Sequence, residues 1–329
     1  MRRVRILGAG PAGSAAALSA LSCGADVEWF DRSALPRHKV CGEFLTAEAR
    51  SVLESLGVLS VVEQLRPARI RRVRLRFGRR EQVGVLPETA WGLSRYAFDH
   101  ALWSEAVRRG ARFARADAPA DPPCVVATGR TASLANPANR PSRLFGFKAH
   151  FQGPVSDDVE LFFFRGGYVG VNPVEGGFTN VCGLARQDVL ASLSFDVDGL
   201  LSTQPPIAER IRPLLRAFAW IFTGPLEFAR HFDDAAREGV YLAGDRACFV
   251  DPFTGSGQLI ALLTGEVAGR AAAEGWGSSR YETLCRNSLK GNLFWSSLVR
   301  LVLTSRLATP LGLVTPLSSL YRLTRPKQQ

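Results

Sequence analysis

Three glycines near the start of the chain, Gly8, Gly10 and Gly13, stand in the spacing G-x-G-x-x-G, and an acid, Asp31, follows eighteen residues after the last of them. Each residue type has a physical use at that spacing. Gly8 allows a tight turn, Gly10 lets backbone amides approach a pyrophosphate, and Gly13 lets a helix pack closely on a strand. A carboxylate at Asp31 can accept hydrogen bonds from ribose hydroxyls. A second glycine-bearing segment lies more than two hundred residues later, where Gly244-Asp245 is followed by Asp251-Pro252-Phe253-Thr254-Gly255-Ser256-Gly257-Gln258. If a helix starts there, its free amides and partial positive charge suit an electron-rich ring edge such as the pyrimidine of a reduced flavin, with Asp245 placed to hold sugar-alcohol hydroxyls.

These residues need elements to position them. Val4 to Leu7 predicts a buried strand, and the small-residue run Ala15 to Leu21 predicts the helix after the glycine turn. The second strand is expected over Ala25 to Phe30, ending at Asp31. A helix opens at Leu93-Ser94-Arg95, a late strand covers Val240 to Ala243, and a helix covers Leu259 to Ala273. Between them, Phe145 to Phe151, Val159 to Phe164, Tyr168 to Val171 and Phe178 to Leu184 alternate as strands punctuated by glycine turns.

The 329 residues carry 41 basic against 30 acidic side chains, a formal net charge of +11, and only four of the basic residues are lysine. Most of the excess is local. Residues 66–80 hold eight arginines and residues 283–329 seven basic residues, with no acid in either, so the body is mildly acidic. No recognition motif accompanies the charge, so nucleic acid is not expected as a partner. The six cysteines form no C-x-x-C pair, which suggests reduced thiols in a cytoplasm. Met1-Arg2-Arg3 leads straight into the first strand without the apolar stretch of a signal peptide. The uncharged stretch Leu307 to Tyr321 is broken by Pro310 and Pro316 and is too short to span a bilayer.

Together the motifs resemble those of the flavoprotein superfamily of aromatic-ring hydroxylases and geranylgeranyl reductases. The likeness is nearest to the geranylgeranyl-reductase-like branch, through Arg37-His38-Lys39-Val40-Cys41-Gly42, the Gly166-Gly167-Tyr168 hairpin with its Glu175-Gly176-Gly177 turn, and the late Gly244-Asp245 and Pro252-to-Gly257 elements. The resemblance implies an α/β fold: a split Rossmann-like FAD-binding domain (residues 1–69, 93–140 and 235–285), an inserted antiparallel β-sheet substrate domain (70–92 and 141–234), and a C-terminal helical cover (286–329). It implies FAD bound by Gly8, Gly10, Ala12 and Gly13 at the pyrophosphate and by Asp31 and Arg32 near the adenosine ribose. Arg37 and Arg95 would contact phosphate or ribityl groups, Asp245 the ribityl chain, and Gly129, Pro252, Gly255, Ser256 and Gly257 the rest of the cofactor. NADPH or NADH is implied as a transient reductant, since no second dinucleotide fingerprint is present. The reaction implied is double-bond reduction or hydroxylation of a hydrophobic polyketide, isoprenoid or lipid-like molecule. A flavin-binding module without catalysis is the alternative.

Two departures from the family pattern bear on this. The hydroxylase Asp-Gly element reads Ala127-Thr128-Gly129, and the short connection from Gly110 to Val125 leaves little room for a hairpin. The halogenase segment Trp-x-Trp-x-x-Pro is absent. Cys41 and Glu43 are the candidate catalytic residues, Glu43 as a proton relay. The four histidines, His38, His100, His150 and His231, form no acid/base pair by sequence and read as structural. Phe145, Phe147, Phe151, Phe162, Phe163, Phe164 and Tyr168 would give an aromatic substrate wall, although most such rings are expected to be sheet core. Ile70 to Phe77 should be a half-buried strand with Arg72, Arg74 and Arg76 on one face, either solvated or docking an acidic carrier protein or anionic lipid. Phe294, Leu298, Leu301 and Val302 at helical spacing suggest a cover over the substrate mouth or a peripheral membrane contact.

Overall fold

The computed structural model describes residues 2–130, 143–226, 237–250 and 252–289. The chain opens with β1 (Arg3–Leu7), α1 (Pro11–Ser22), β2 (Asp26–Phe30), the two-residue strand β3 (Phe44–Leu45), and the short helices α2 (Ala49–Ser55) and α3 (Leu59–Glu63). A long hairpin of β4 (Ala68–Phe77) and β5 (Arg80–Gly92) leads to α4 (Arg95–Arg108), then to β6 (Arg112–Ala114) and β7 (Cys124–Val126). Four strands follow, β8 (Leu144–Gln152), β9 (Asp158–Phe164), β10 (Gly167–Pro173) and β11 (Phe178–Arg186). Helices α5 (Gln187–Ala191), α6 (Val197–Ser202) and α7 (Pro205–Ile211) separate them from β12 (Leu215–Arg216), β13 (Ile221–Leu226), β14 (Val240–Leu242) and α8 (Gly257–Glu274). Residues 278–289 are also helical.

The first sheet is parallel in the order β14-β7-β1-β2-β6. Its strands are short, and β1 and β2 alternate buried Val4, Ile6, Val27 and Trp29 with Arg3, Arg5, Asp26 and Glu28, so one face joins the helices' apolar core and the other carries ion pairs. Helices α1 and α8 cross so closely that a Cβ on Gly265 or Gly269 would stand 2.2 Å from the carbonyl oxygens of Ala12 and Ala16. That contact ties together segments about 250 residues apart, and both helices start at the same edge of the sheet. Between β6 and β7 the described chain forms no hairpin, in keeping with the short connection.

The second sheet runs β12-β8-β11-β10-β9-β4-β5-β3, with β13 also paired to β8. It is mixed rather than wholly antiparallel, because β4 and β9 run parallel. The strand Phe44–Leu45, which the sequence reading left in the dinucleotide portion, pairs with β5 in this sheet. Cross-strand register sorts its two faces. Phe147, Ala149, Phe151, Phe162, Val171 and Val181 share one face and pack on Leu190, Leu200, Leu201 and Ile207 of α5 to α7. The opposite face carries the row Lys148–Cys182–Gly170–Leu161–Leu75 and, beside it, His150–Asn180–Asn172.

The register explains two differences from expectation. Phe145, Phe147, Phe151, Phe162 and Phe164 point away from the first sheet and form the substrate domain's own core or its fringe. The arginines of β4 face carboxylates across the sheet: Arg72 pairs with Asp157 and Asp158 (2.6 Å each), Arg74 with Asp158 (2.9 Å) and Glu81, and Arg76 with Glu81 (3.0 Å). That face is acid-paired rather than simply solvated. Among the described residues no helix is long and apolar enough to cross a membrane. The C-terminal cover expected over 286–329, with Phe294, Leu298, Leu301 and Val302, lies outside the described residues beyond position 289.

Candidate active site

Gly8 and Gly13 are demanded by sterics. Gly8 has φ +99°, and a Cβ there would lie 2.3 Å from Ala127 O, while one on Gly13 would lie 1.8 Å from Gly8 O. Gly10 differs: its φ is −88°, and a Cβ would enter open space 3.5 Å from both Lys39 Nζ and Arg95 Nη2. Gly10 is the N-cap of α1, with no side-chain cap and no acid in the first turn. Free helix amides and two cations thus converge on one point, an arrangement suited to a phosphate.

Asp31 Oδ2 accepts from Ala9 N and Oδ1 from Ser33 N, both at 2.8 Å, with Arg37 Nη2 3.4 Å away. Burial disfavours its charge, but these hydrogen bonds, Arg37 and Lys39 outweigh burial and hold the carboxyl below the usual range. Asp31 therefore locks the glycine turn besides facing the cavity. Arg32 does not join it. Its side chain is 77% exposed in an ion pair with Asp117 at 3.4 Å, because the residue after Asp31 points outward.

Ala12, Arg37, Arg95, Gly129, Asp245, Pro252, Gly255 and Gly257 all line a single cavity of about 670 Å³ together with Gly10 and Asp31. Ser256 is the N-cap of α8 and is fully buried. Gly257 opens α8, and a Cβ on it would meet nothing within 4 Å. Asp245 lies deep in the cavity, with 39% of its side chain open to it, and Arg130 Nε is 4.0 Å away. Burial raises its pKa despite Arg130, Arg95 and Lys39. Arg130 stacks on Phe249 and donates to Thr223 Oγ1 at 2.6 Å, so it joins β7 to β13.

The fit to FAD is tested by this geometry. Two helix N-termini, neither capped by its own side chain, face one cavity, one with cations for phosphates and the other with a glycine leaving room for a ring. The residues present suit the cofactor. Gly10, Lys39 and Arg95 would hold the pyrophosphate, Asp245 the ribityl chain and Gly255 to Gly257 the ring edge.

The loop carrying Cys41 and Glu43 is fastened from below. Asn180 Nδ2 donates to Cys41 O (3.2 Å) and Gly42 O (3.0 Å). Cys41 Sγ accepts from Glu43 N (3.4 Å) and Gln258 Nε2 (3.5 Å). Glu43 has φ +53° and a fully buried side chain. It pairs with the buried Lys148 ammonium, lies 2.6 Å from His150 Nε2 and accepts from Arg95 N at 2.7 Å. Burial alone would raise its pKa, but Lys148 and His150 hold it below the usual carboxylate range. With both oxygens engaged, Glu43 anchors the loop rather than offering a free carboxyl to a ligand. Arg95 is fixed by Asp99, at 2.6 and 2.7 Å, which outweighs burial and keeps its guanidinium charged. Lys39 lies 3.6 Å from Asp99, and burial together with Arg95 brings its pKa down to about 8.

Lys39, Arg130, Lys148 and His150 were missed as site residues. The histidines form no pair along the sequence, but His150 meets Glu43, an acid contributed from 107 residues away, and so helps tether that carboxylate. His38 lies beside it in the cavity wall. The remaining wall is apolar: Val73, Leu75, Leu86, Val159 and Leu161 from the sheet, with Phe44, Phe222, Phe249 and Phe253. Of the seven rings expected to face substrate only Tyr168 lines the cavity, and Phe163, on the same side, touches Phe253.

A parallel dinucleotide-type sheet, two glycine-bearing helix starts and a roofing mixed sheet make up a fold that is also found in flavin-dependent enzymes of known structure. No protein-family model matches the sequence. Among curated proteins, a menaquinone reductase of Mycolicibacterium smegmatis is 37% identical over 116 residues, 33% of this chain and 27% of the relative. The match thus spans about a quarter of that protein. Among solved structures, a triple mutant of a flavin-dependent brominase superposes with a TM-score of 0.79 at 18% identity, covering 98% of this chain and 93% of the other. A geranylgeranyl bacteriochlorophyll reductase-like protein from Thermoplasma acidophilum gives 0.69 at 18% identity, covering 98% and 92%. At these identities the structural likeness is one of fold.

Proposed function

We propose that the protein is an FAD-dependent reductase that takes electrons from NADPH or NADH and reduces a double bond of a hydrophobic isoprenoid, polyketide or lipid-like molecule. One observation carries the reading: the cradle at Gly10 and the apolar sheet face belong to one continuous cavity. Bound FAD supplies the hydride-transfer chemistry. The chain's own residues bind and orient. Lys39, Arg95 and the α1 amides neutralise the phosphates, the α8 N-terminus favours negative charge at the ring edge, and the Val73, Leu75, Val159 and Leu161 face excludes water and accepts the greasy substrate. The local similarity to a menaquinone reductase supports reduction, and supports an isoprenoid quinone as the first substrate to try.

The test is anaerobic turnover with NADPH or NADH and candidate isoprenoid quinones, followed by mass spectrometry of the product. A gain of two hydrogens without oxygen that persists after the quinone ring is reoxidised supports double-bond reduction, and a gain lost on reoxidation is ring reduction only. Product formed only in air and carrying an added oxygen would establish hydroxylation instead, and a yellow protein that accepts no electrons from either nicotinamide would leave only cofactor binding.

A further inference from the structure

His38, between Arg37 and Lys39 in the cavity wall, occupies a built position. Its ring forms part of the cavity wall, clamped between Phe218 (centroids 4.4 Å apart, 29° between planes) and Tyr96 (4.9 Å, 29°). His150 meets it edge-on at 5.2 Å. Its Nδ1 is buried and has no hydrogen-bond partner among the described residues. A buried ring nitrogen left unpaired costs stability, and such a group in a native fold calls for a ligand or a chemical use. Around it the charged groups are engaged, Glu43 with Lys148, His150 and Arg95 N, and Asn180 Nδ2 holds the loop carbonyls, while Asn180 Oδ1 is likewise buried without a partner among the described residues.

We propose that His38 is the residue that gives a proton to the substrate during reduction, with the Glu43–Lys148–His150 cluster as the fixed charge that tunes it. The proposal rests on the reductase reading. Reducing a double bond breaks one π bond and forms two new bonds to hydrogen. A hydride, originating from the nicotinamide, forms one of them. The carbon or conjugated oxygen left with the electron pair takes a proton from the His38 imidazolium, and the neutral imidazole is reprotonated by solvent. The sum is substrate plus NAD(P)H plus one proton, giving dihydro product plus NAD(P)⁺. Tyr168 and Cys182 are the other titratable side chains on the sheet side of the wall, and burial pushes the Cys182 thiol well above its ordinary range. Asp245 and Lys39 belong to the cofactor end, and Cys41 already accepts two hydrogen bonds.

The charged and titratable groups facing His38 are Lys148 and His150 from β8, Glu43 from its own loop and Tyr96 from α4. Burial, with Lys148 and His150, lowers its pKa below the ordinary histidine value, and Glu43 only partly offsets them. The proton-donating form is therefore lost at a lower pH than that of an ordinary histidine.

The test combines His38→Gln and His38→Asn, each checked for fold by circular dichroism, with an NMR titration of His38 in the wild-type protein. Flavin content and the rate of flavin reduction by NAD(P)H are measured apart from substrate turnover. Both variants are expected to take up FAD and accept electrons as wild type does, while kcat falls about 100-fold or more. The falling limb of kcat with pH should disappear in the variants, and in wild type it should coincide with the NMR titration of His38. Wild-type turnover with an unchanged pH profile in either folded variant would overturn the proposal. So would equal losses of flavin reduction and turnover, the sign of a structural role, or a wild-type kcat profile that does not follow the His38 titration. Failure of wild-type protein to bind FAD would strike the reductase reading itself and so is distinguishable.

Discussion

Raising the pH should loosen the hold on FAD through one side chain, Lys39. In the free protein its ammonium has a pKa of about 8, because burial and Arg95 oppose its charge more than Asp99 supports it. A pyrophosphate seated at Gly10 adds negative charge beside Nζ and restores the pKa toward the lysine range. Binding therefore requires the charged form: affinity is full below pH 8 and falls as pH climbs above it, until the pKa of the bound state is reached. With a free-state pKa of about 8, moving from about pH 7 to about pH 9.5 should weaken FAD binding ~30-fold, or about 2 kcal/mol. Arg95, paired with Asp99, keeps its charge throughout this range, so the slope belongs to Lys39. The assay is equilibrium titration of cofactor-free protein with FAD, followed by flavin fluorescence at a series of pH values. Lys39→Met should bind more weakly at neutral pH, show no slope between those values and converge on wild type at the alkaline end. A flat wild-type profile, or a slope that survives in Lys39→Met, would refute the assignment of Lys39 to the phosphate site.

Other outcomes follow from the same geometry. Gly13→Ala places a Cβ 1.8 Å from Gly8 O with only backbone to yield, so chemical denaturation should show a loss of about 3 kcal/mol. Glu43→Gln leaves Lys148 buried without its carboxylate and should cost about 3–5 kcal/mol by the same measurement. Because the folded-state pKa of Glu43 is depressed, its contribution is present above the ordinary carboxylate range and is lost as pH falls below it, a dependence Glu43→Gln should lack. Leu161→Asn puts an amide on the apolar part of the roof and should raise the KM for a hydrophobic substrate about 10-fold while leaving FAD content unchanged.

The parts of the site legible in the sequence are those made by neighbours along the chain. Gly8, Gly10 and Gly13 lie within one turn and one helix start, and Asp31 ends the adjacent strand, so spacing alone specifies them. The Gly255-to-Gly257 helix start was readable for the same reason. What could not be read depends on register between distant strands. Lys148 and His150 reach Glu43 because Phe147, Ala149 and Phe151 are drawn to the opposite face by α5 to α7, and no count along residues 145–151 says which face is which. The charges of Arg72 and Arg74 looked unpaired because Asp157 and Asp158 arrive about 85 residues later, whereas Glu81, which meets Arg74 and Arg76, lies just across the hairpin turn. Lys39 lay inside a motif already noticed, but its approach to Gly10 required the loop to fold back over α1. Arg32 failed by one position, where chain direction turns its side chain to solvent.

The central claim is that one cavity holds FAD stretched between the α1 and α8 N-termini, and FAD uptake measured beside ADP uptake tests it directly. Wild-type protein should bind one FAD per chain and turn yellow. Gly10→Val should weaken both ligands, whereas Gly257→Val should weaken FAD and spare ADP. Folded wild-type protein that stays colourless in excess FAD, or a Gly257→Val variant that binds FAD as wild type does, would contradict the account.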